Sequence, residues 1–188
     1  MQMRFLFPIL VLMAAGSARA QVDFGVLAGV RSNQAETDIH GASINSRSSL
    51  QLGVEIGVPF LKPWAVRTGF LYTQRYVEIE NTRQGNVSID YSYFDVPMQL
   101  MWNIGDIAGV FAGPLISFNQ SKEVTCSNST SCVAVDVKSV IFPWQIGVRG
   151  RFLPQMGAEL YYEYAPADLS ANVSDMRSVG TNLIFFFE

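Results

Sequence analysis

The sequence predicts an all-β protein, an eight-stranded antiparallel up-and-down transmembrane β-barrel, and three observations carry that prediction. The chain opens with an export signal. Eight later segments alternate apolar and polar residues with the two-residue period of a strand. The connections between them alternate long and short, as in a bacterial outer-membrane barrel with long outer loops, short periplasmic turns and an even number of strands.

The export signal covers residues 1–20. Arg4 supplies a short positive region, Phe5 to Ala15 an apolar core, and Ala18-Arg19-Ala20 a small-residue cleavage site. The core is too short to span a membrane as a helix, and no Cys follows the cleavage site to accept a lipid anchor. A mature domain is expected over residues 21–188. The formal charge of the whole sequence is −3, and loss of Arg4 and Arg19 makes the mature chain more acidic. Such a chain gives no reason to expect nucleic acid or a polybasic membrane patch. Hydrophobic residues make up 49% of the sequence, yet the longest uncharged stretch of the mature part, Ile107 to Ser121, falls short of the ~18 residues a membrane helix needs. Insertion would therefore be through strands, with outer-membrane lipid as the partner.

The segments follow in order. Val22 to Val30 places Phe24, Val26, Ala28 and Val30 opposite Gly25, Leu27 and Gly29. Arg31 to Arg47 is polar, lacks a period and is expected to be a long loop. Leu50, Leu52, Val54, Ile56 and Val58 then alternate with Gln51, Gly53, Glu55 and Gly57, the cleanest strand pattern in the chain. Pro59 to Pro63 is a short connection where prolines remove no ladder donor. A third strand, Trp64 to about Val77, sets Val66, Phe70, Tyr72 and Tyr76 against Arg67, Gly69, Thr73 and Arg75, and residues 78–86 form a polar loop.

The fourth strand starts near Val87 and ends with Phe94, Val96, Met98, Leu100 and Trp102 on one face and Asp95, Pro97, Gln99 and Met101 on the other. A turn at 103–106 leads into Ile107 to Phe118, where Gly109, Gly113 and Pro114 argue against a helix. Residues 119–137 are a second long polar loop. Lys138 to Phe152 alternates Phe142, Trp144, Ile146 and Val148 with Gln145, Gly147, Arg149 and Arg151. After a short turn, Gly157 to Tyr164 alternates Ala158, Leu160, Tyr162 and Tyr164 with Glu159, Tyr161 and Glu163. A loop over about 165–175 precedes the last strand, Met176 to Phe187, with Val179, Thr181, Leu183, Phe185 and Phe187 on one face.

With these segments in view, the chain resembles the outer-membrane β-barrel domain family of Bacteroidetes-type bacteria, often called porin-family or PorT-like proteins. The similarity lies in Tyr93-Phe94-Asp95-Val96-Pro97-Met98-Gln99-Leu100, followed by the Gly-x-x-x-Gly-Pro strand at Gly109 to Pro114. The resemblance covers nearly all of residues 21–188. Its motifs imply fold and location, and not an activity. Barrels of this kind commonly finish on an aromatic residue read by the outer-membrane assembly machinery, an expected partner, whereas here Glu188 follows Phe187.

If the apolar faces look at lipid, the opposite faces place Glu55, Asp95, Glu159 and Glu163 against Arg67, Arg75, Arg149 and Arg151 inside the barrel. An eight-stranded barrel is just wide enough for side chains to fill it, and buried charges need partners. A charge-paired, filled interior is the expectation, with any specific role carried by the outer loops. In such a filled barrel, replacing Arg67 or Arg149 by Ala is expected to loosen the plug and raise conductance; the alternative is a narrow porin in which the same charges select small solutes. Trp64 and Trp102 flank short turns as the inner half of an aromatic girdle, and Trp144 belongs near the outer side with Tyr72, Tyr76 and Tyr164.

Cys126 and Cys132, in a polar segment of an exported chain, are expected to form a small disulfide loop; a metal site is the alternative, but no His or acidic cluster accompanies them. Two further classes fit the residues less well. A lipid-modifying outer-membrane enzyme needs a nucleophile beside an activating base. The single histidine, His40, lies near Asp38 and Ser43 with no G-x-S-x-G frame, and the arginines account for Glu159 and Glu163 more simply. A soluble lipocalin-type barrel would invert the faces. Sequons at Asn86, Asn119, Asn128 and Asn172 are ordinary loop composition in a bacterial barrel. A monomeric non-enzyme without cofactor or bound metal is the expectation.

Overall fold

The computed structural model describes residues 22–37, 42–45, 47–81, 87–126, 138–165 and 173–187, and its regular structure there is entirely β. The segments are β1 (Asp23–Thr37), β2 (Ala42–Asn45), β3 (Arg47–Leu61), β4 (Trp64–Asn81), β5 (Val87–Pro97), β6 (Gln99–Ile104), β7 (Ala108–Cys126), β8 (Val140–Ile141), β9 (Trp144–Leu153), β10 (Met156–Ala165) and β11 (Val173–Phe187). Three strands are interrupted: β2 and β3 both pair with β4, β5 and β6 both lie between β4 and β7, and β8 and β9 both pair with β7. Counted as barrel strands, the segments make eight. Every neighbour is antiparallel, and pairing of β1 with β11 closes the ring.

Closure requires the strands to tilt. From Trp64 the cross-strand partners run through Trp102, Val110, Val148, Leu160, Thr181 and Val30 to Leu50. Its neighbour Gln51 pairs with Thr73, so the walk returns to β4 well above Trp64. The short turns at Lys62–Pro63, Gly105–Ile107 and Pro154–Gln155 share one end of the barrel with Val22 and Phe187.

The two faces divide as the alternation predicts. Leu50, Leu52, Phe70, Leu100, Ile146, Val148, Leu160 and Leu183 are apolar and exposed. Arg31, Arg67, Arg75, Glu55, Asp95, Glu159 and Glu163 are charged and buried. This is the reverse of a soluble protein and of the lipocalin-type arrangement. Trp64 and Trp102 are register partners with ring centres 6.4 Å apart beside the short turns. Trp144 pairs with Tyr164 near the opposite end.

Two expectations need correction. The polar stretches read as loops are partly strand: β1 runs on to Thr37, β2 pairs Ala42–Asn45 with the extended top of β4, and β7 reaches Cys126 against β5. At Ser32 and Gln34 of β1 and Gln74 of β4 the outward residues are polar, so the hydropathy period fades while the backbone ladder continues. The sixth strand is also not continuous from Lys138. It breaks at Phe142-Pro143, where a proline cannot donate.

Candidate functional site: two charge networks across the lumen

Large inward side chains are accommodated by inward glycines. A Cβ at Gly180 would collide with the ring of Tyr161, and one at Gly147 with Phe111. These small positions let Tyr161 and Phe111 lie across the lumen, both fully buried. Met101 and Ala65 pack with them, and Leu27, Leu71, Ile184 and Phe186 form a second apolar cluster. The interior is therefore part hydrophobic, which the charge pattern alone did not reveal.

The lower network centres on Arg67 of β4. Its Nη2 lies 2.8 Å from Glu55 Oε2 and 2.9 Å from Glu159 Oε2, while Nη1 donates to Gln99 Oε1 at 2.9 Å. Arg149 Nη2 reaches the same two carboxylates at 2.6 and 3.3 Å. Asn182 donates to Glu159 at 2.6 Å, and Gln99 passes a hydrogen bond on to Gln145. The guanidinium of Arg67 also lies 4.5 Å from the centre of the Phe111 ring, a cation–π distance.

The upper network centres on Glu163 of β10, whose Oε1 lies 2.8 Å from Arg31 Nη2 and 3.0 Å from Arg75 Nη2. Arg75 reaches Asp95 at 3.1 Å and lies 4.5 Å from the Tyr93 ring centre. Arg31 donates to Asn33 and Ser178, and Asn33 donates to Ser49. Between the two networks stand Tyr161, midway between Glu159 and Glu163 on β10, and Leu71, midway between Arg67 and Arg75 on β4. The Tyr161 hydroxyl donates to Gln51 at 2.6 Å. Each network holds two arginines and two carboxylates, so each is neutral by itself.

Of the interior charges expected from sequence, Glu55, Arg67, Arg149 and Glu159 meet in the lower network, and Arg75, Asp95 and Glu163 in the upper. Arg151 does not join either. It sits at the short-turn mouth with its side chain 28% exposed, 3.6 Å from Asp23 and over the Phe186 ring. Although it shares a face with Arg149, it lies past the last layer of filling side chains. The mouth is a cavity of about 340 Å³ lined by Asp23, Asp106, Arg149, Arg151 and Phe186 among others.

The sequence pattern does not mark Arg31, which opens a stretch without apolar outward residues, yet it continues the inward phase of Leu27 and Gly29. His40 and Asp38 lie outside the described residues, as does Cys132. Cys126 ends β7, with its side chain outside what is described, so the expected disulfide lies there too.

A closed antiparallel barrel with aliphatic walls and a charge-paired interior defines an integral outer-membrane β-barrel protein. Residues 14–171 match the family described as outer membrane protein beta-barrel domain, and the chain belongs to it. No curated protein matches in sequence. Among solved structures, Neisserial surface protein A is similar at 15% identity and TM-score 0.53, covering 87% of this chain and 97% of that one. OprG from Pseudomonas aeruginosa is similar at 13% identity and TM-score 0.50, covering 89% and 95%. AlkL, solved in lipid bilayers, stands at 12% identity and TM-score 0.50, covering 90% and 92%. At such identities the likeness is one of fold.

Proposed function

We propose that this outer-membrane barrel is a non-conducting, non-enzymatic monomer whose specific role is carried by its outer end. The observation that carries the reading is the pair of stacked, neutral networks across the lumen, since a solute would have to break a hydrogen-bonded set of buried ion pairs twice. The outer loops, with the strand extensions beneath them, offer surfaces that vary without disturbing the fold. Export by residues 1–20, delivery by the assembly machinery and a Cys126–Cys132 bond in the third outer loop belong to the same reading. The finer kinship with porin-family or PorT-like proteins rests on the Tyr93–Leu100 and Gly109–Pro114 motifs.

The test is electrical. Reconstituted into a planar bilayer, the unmodified protein is expected to show no steady conductance. Large, stable openings would overturn the filled-barrel reading in favour of a small-solute porin.

A further inference from the structure

The outward wall of β10, β11 and β1 carries two contiguous depressions that the filled interior does not use. The upper one, about 370 Å³, is lined by Ser32, Gln34, Tyr162, Arg177 and Val179, with Ser178 at its floor. The lower one, about 340 Å³, is lined by Val148, Gly150, Phe152, Ala158, Leu160 and Thr181 together with Arg151 and Glu159, whose side chains are the inward-phased ones paired with Asp23 and with Arg67 and Arg149. Leu160 and Tyr162 succeed each other on the outward face of β10, as Thr181 and Val179 do on β11, so the two run into a single furrow along the wall.

The chemistry differs between the two ends. The upper end gathers a guanidinium, two hydroxyls and a carboxamide, all able to donate to an anion. The outward side chains of the lower end are mainly apolar, Val148, Phe152, Ala158 and Leu160, and its walls are shallow. Depth matches this division. At roughly 3.3 Å per residue and a ~40° tilt, Arg177 stands about 25 Å above Phe187, the height of the apolar band of such barrels. Arg177 pairs with Tyr164, and Tyr164 with Trp144, so the cation shares a cross-strand row with aromatic residues of the outer girdle. Its guanidinium lies 6.0 Å from the Tyr164 ring centre. Asp175, an acid on the same part of β11, accepts the Tyr164 hydroxyl at 2.7 Å.

We infer that the furrow binds one lipid of the outer leaflet, with its phosphorylated headgroup on Arg177, Ser32 and Gln34 and an acyl chain in the depression below. Charge complementarity selects the head, and the apolar continuation selects a lipid over a free anion. The inference rests on membrane insertion and not on whether the lumen conducts.

The experiment is native mass spectrometry of the full barrel in detergent, mixed with bisphosphorylated lipid A. Dephosphorylated lipid A and inorganic phosphate form the comparison arms. Folding of each variant is checked by heat-modifiable gel mobility. Arg177→Gln is expected to lower lipid retention at least tenfold, and Val179→Trp, which fills the upper depression and leaves the charge, to do the same. Lys138→Gln, an exposed cation elsewhere at the outer end, is expected to change nothing. Dephosphorylated lipid is expected to bind weakly to every form, and inorganic phosphate to leave the complex intact. Equal retention by the folded Arg177→Gln and Val179→Trp variants, equal binding of the dephosphorylated lipid, or displacement by inorganic phosphate would each overturn the inference.

Discussion

Glu163 is the residue on which the upper half of the barrel turns, because one carboxylate oxygen serves both Arg31 and Arg75. A buried pair is not in itself strong evidence of stability, since desolvation offsets much of the attraction, but removing one partner leaves uncompensated charge. Glu163→Gln keeps the shape, leaves Arg31 without a carboxylate and leaves Arg75 with Asp95 alone. It is expected to cost about 3–5 kcal/mol, read from urea unfolding in lipid vesicles. Asp23→Asn breaks only the half-exposed pair with Arg151 at the mouth, and the same measurement should move by less than about 1 kcal/mol. If the two variants lose equal stability, the buried network is not the support it is argued to be. Gly180 makes a different demand, for space: Gly180→Ala drives a methyl into Tyr161 and is expected to cost about 1–3 kcal/mol by overpacking in the same assay.

At the scale of the element, the wall is weakened along a line of prolines. Met98 N–H donates to the Pro114 carbonyl at 2.9 Å, and Leu115 N–H to the Pro143 carbonyl at 2.8 Å. Neither proline can return the bond, and Pro97, next to Met98 on the same strand, lacks a donor as well. The strands are accordingly interrupted at Met98 and at Phe142-Pro143. Inside a bilayer such a missing bond has no water to replace it. Pro114→Ala restores a donor, and the Met98 amide is expected to exchange with deuterium more slowly in bilayer-embedded protein; an unchanged rate would mean that the proline does not limit local opening. These breaks explain what the sequence could and could not disclose. Alternation is legible wherever lipid selects apolar residues on one face, as from Leu50 to Val58, and the charges opposite Phe70 and Val148 followed directly from it. Arg31 and Asn33 lie where the outward partners are Ser32 and Gln34, so nothing marked them as strand. Leu71, Phe111 and Phe186 face inward although apolar, because the lumen is packed with rings and aliphatic groups between and below its charges.

For the whole molecule, the consequence of stacking is that the networks act in series. A solute or ion that passes one must still pass the other, so the resistance of the lumen is set by whichever remains intact. The expectation from sequence that Arg67→Ala or Arg149→Ala alone raises conductance therefore changes once Arg31, Arg75, Asp95 and Glu163 are seen closing the barrel above them. Arg67→Ala removes the centre of the lower network and leaves the upper one whole, and Arg75→Ala cuts the upper network down to the Arg31–Glu163 pair and leaves the lower one whole. Each single variant is expected to remain as silent as the unmodified barrel in a planar bilayer, whereas the double variant takes one guanidinium from each network and leaves four carboxylates, Glu55, Asp95, Glu159 and Glu163, against Arg31 and Arg149 alone, so that a net negative path opens past Tyr161. Their negative charge favours cations, so the double variant should conduct with cation selectivity under a salt gradient. Steady current through the folded Arg67→Ala variant alone would place the whole barrier in the lower network, and the upper set would then be structural filling without a share in sealing the barrel.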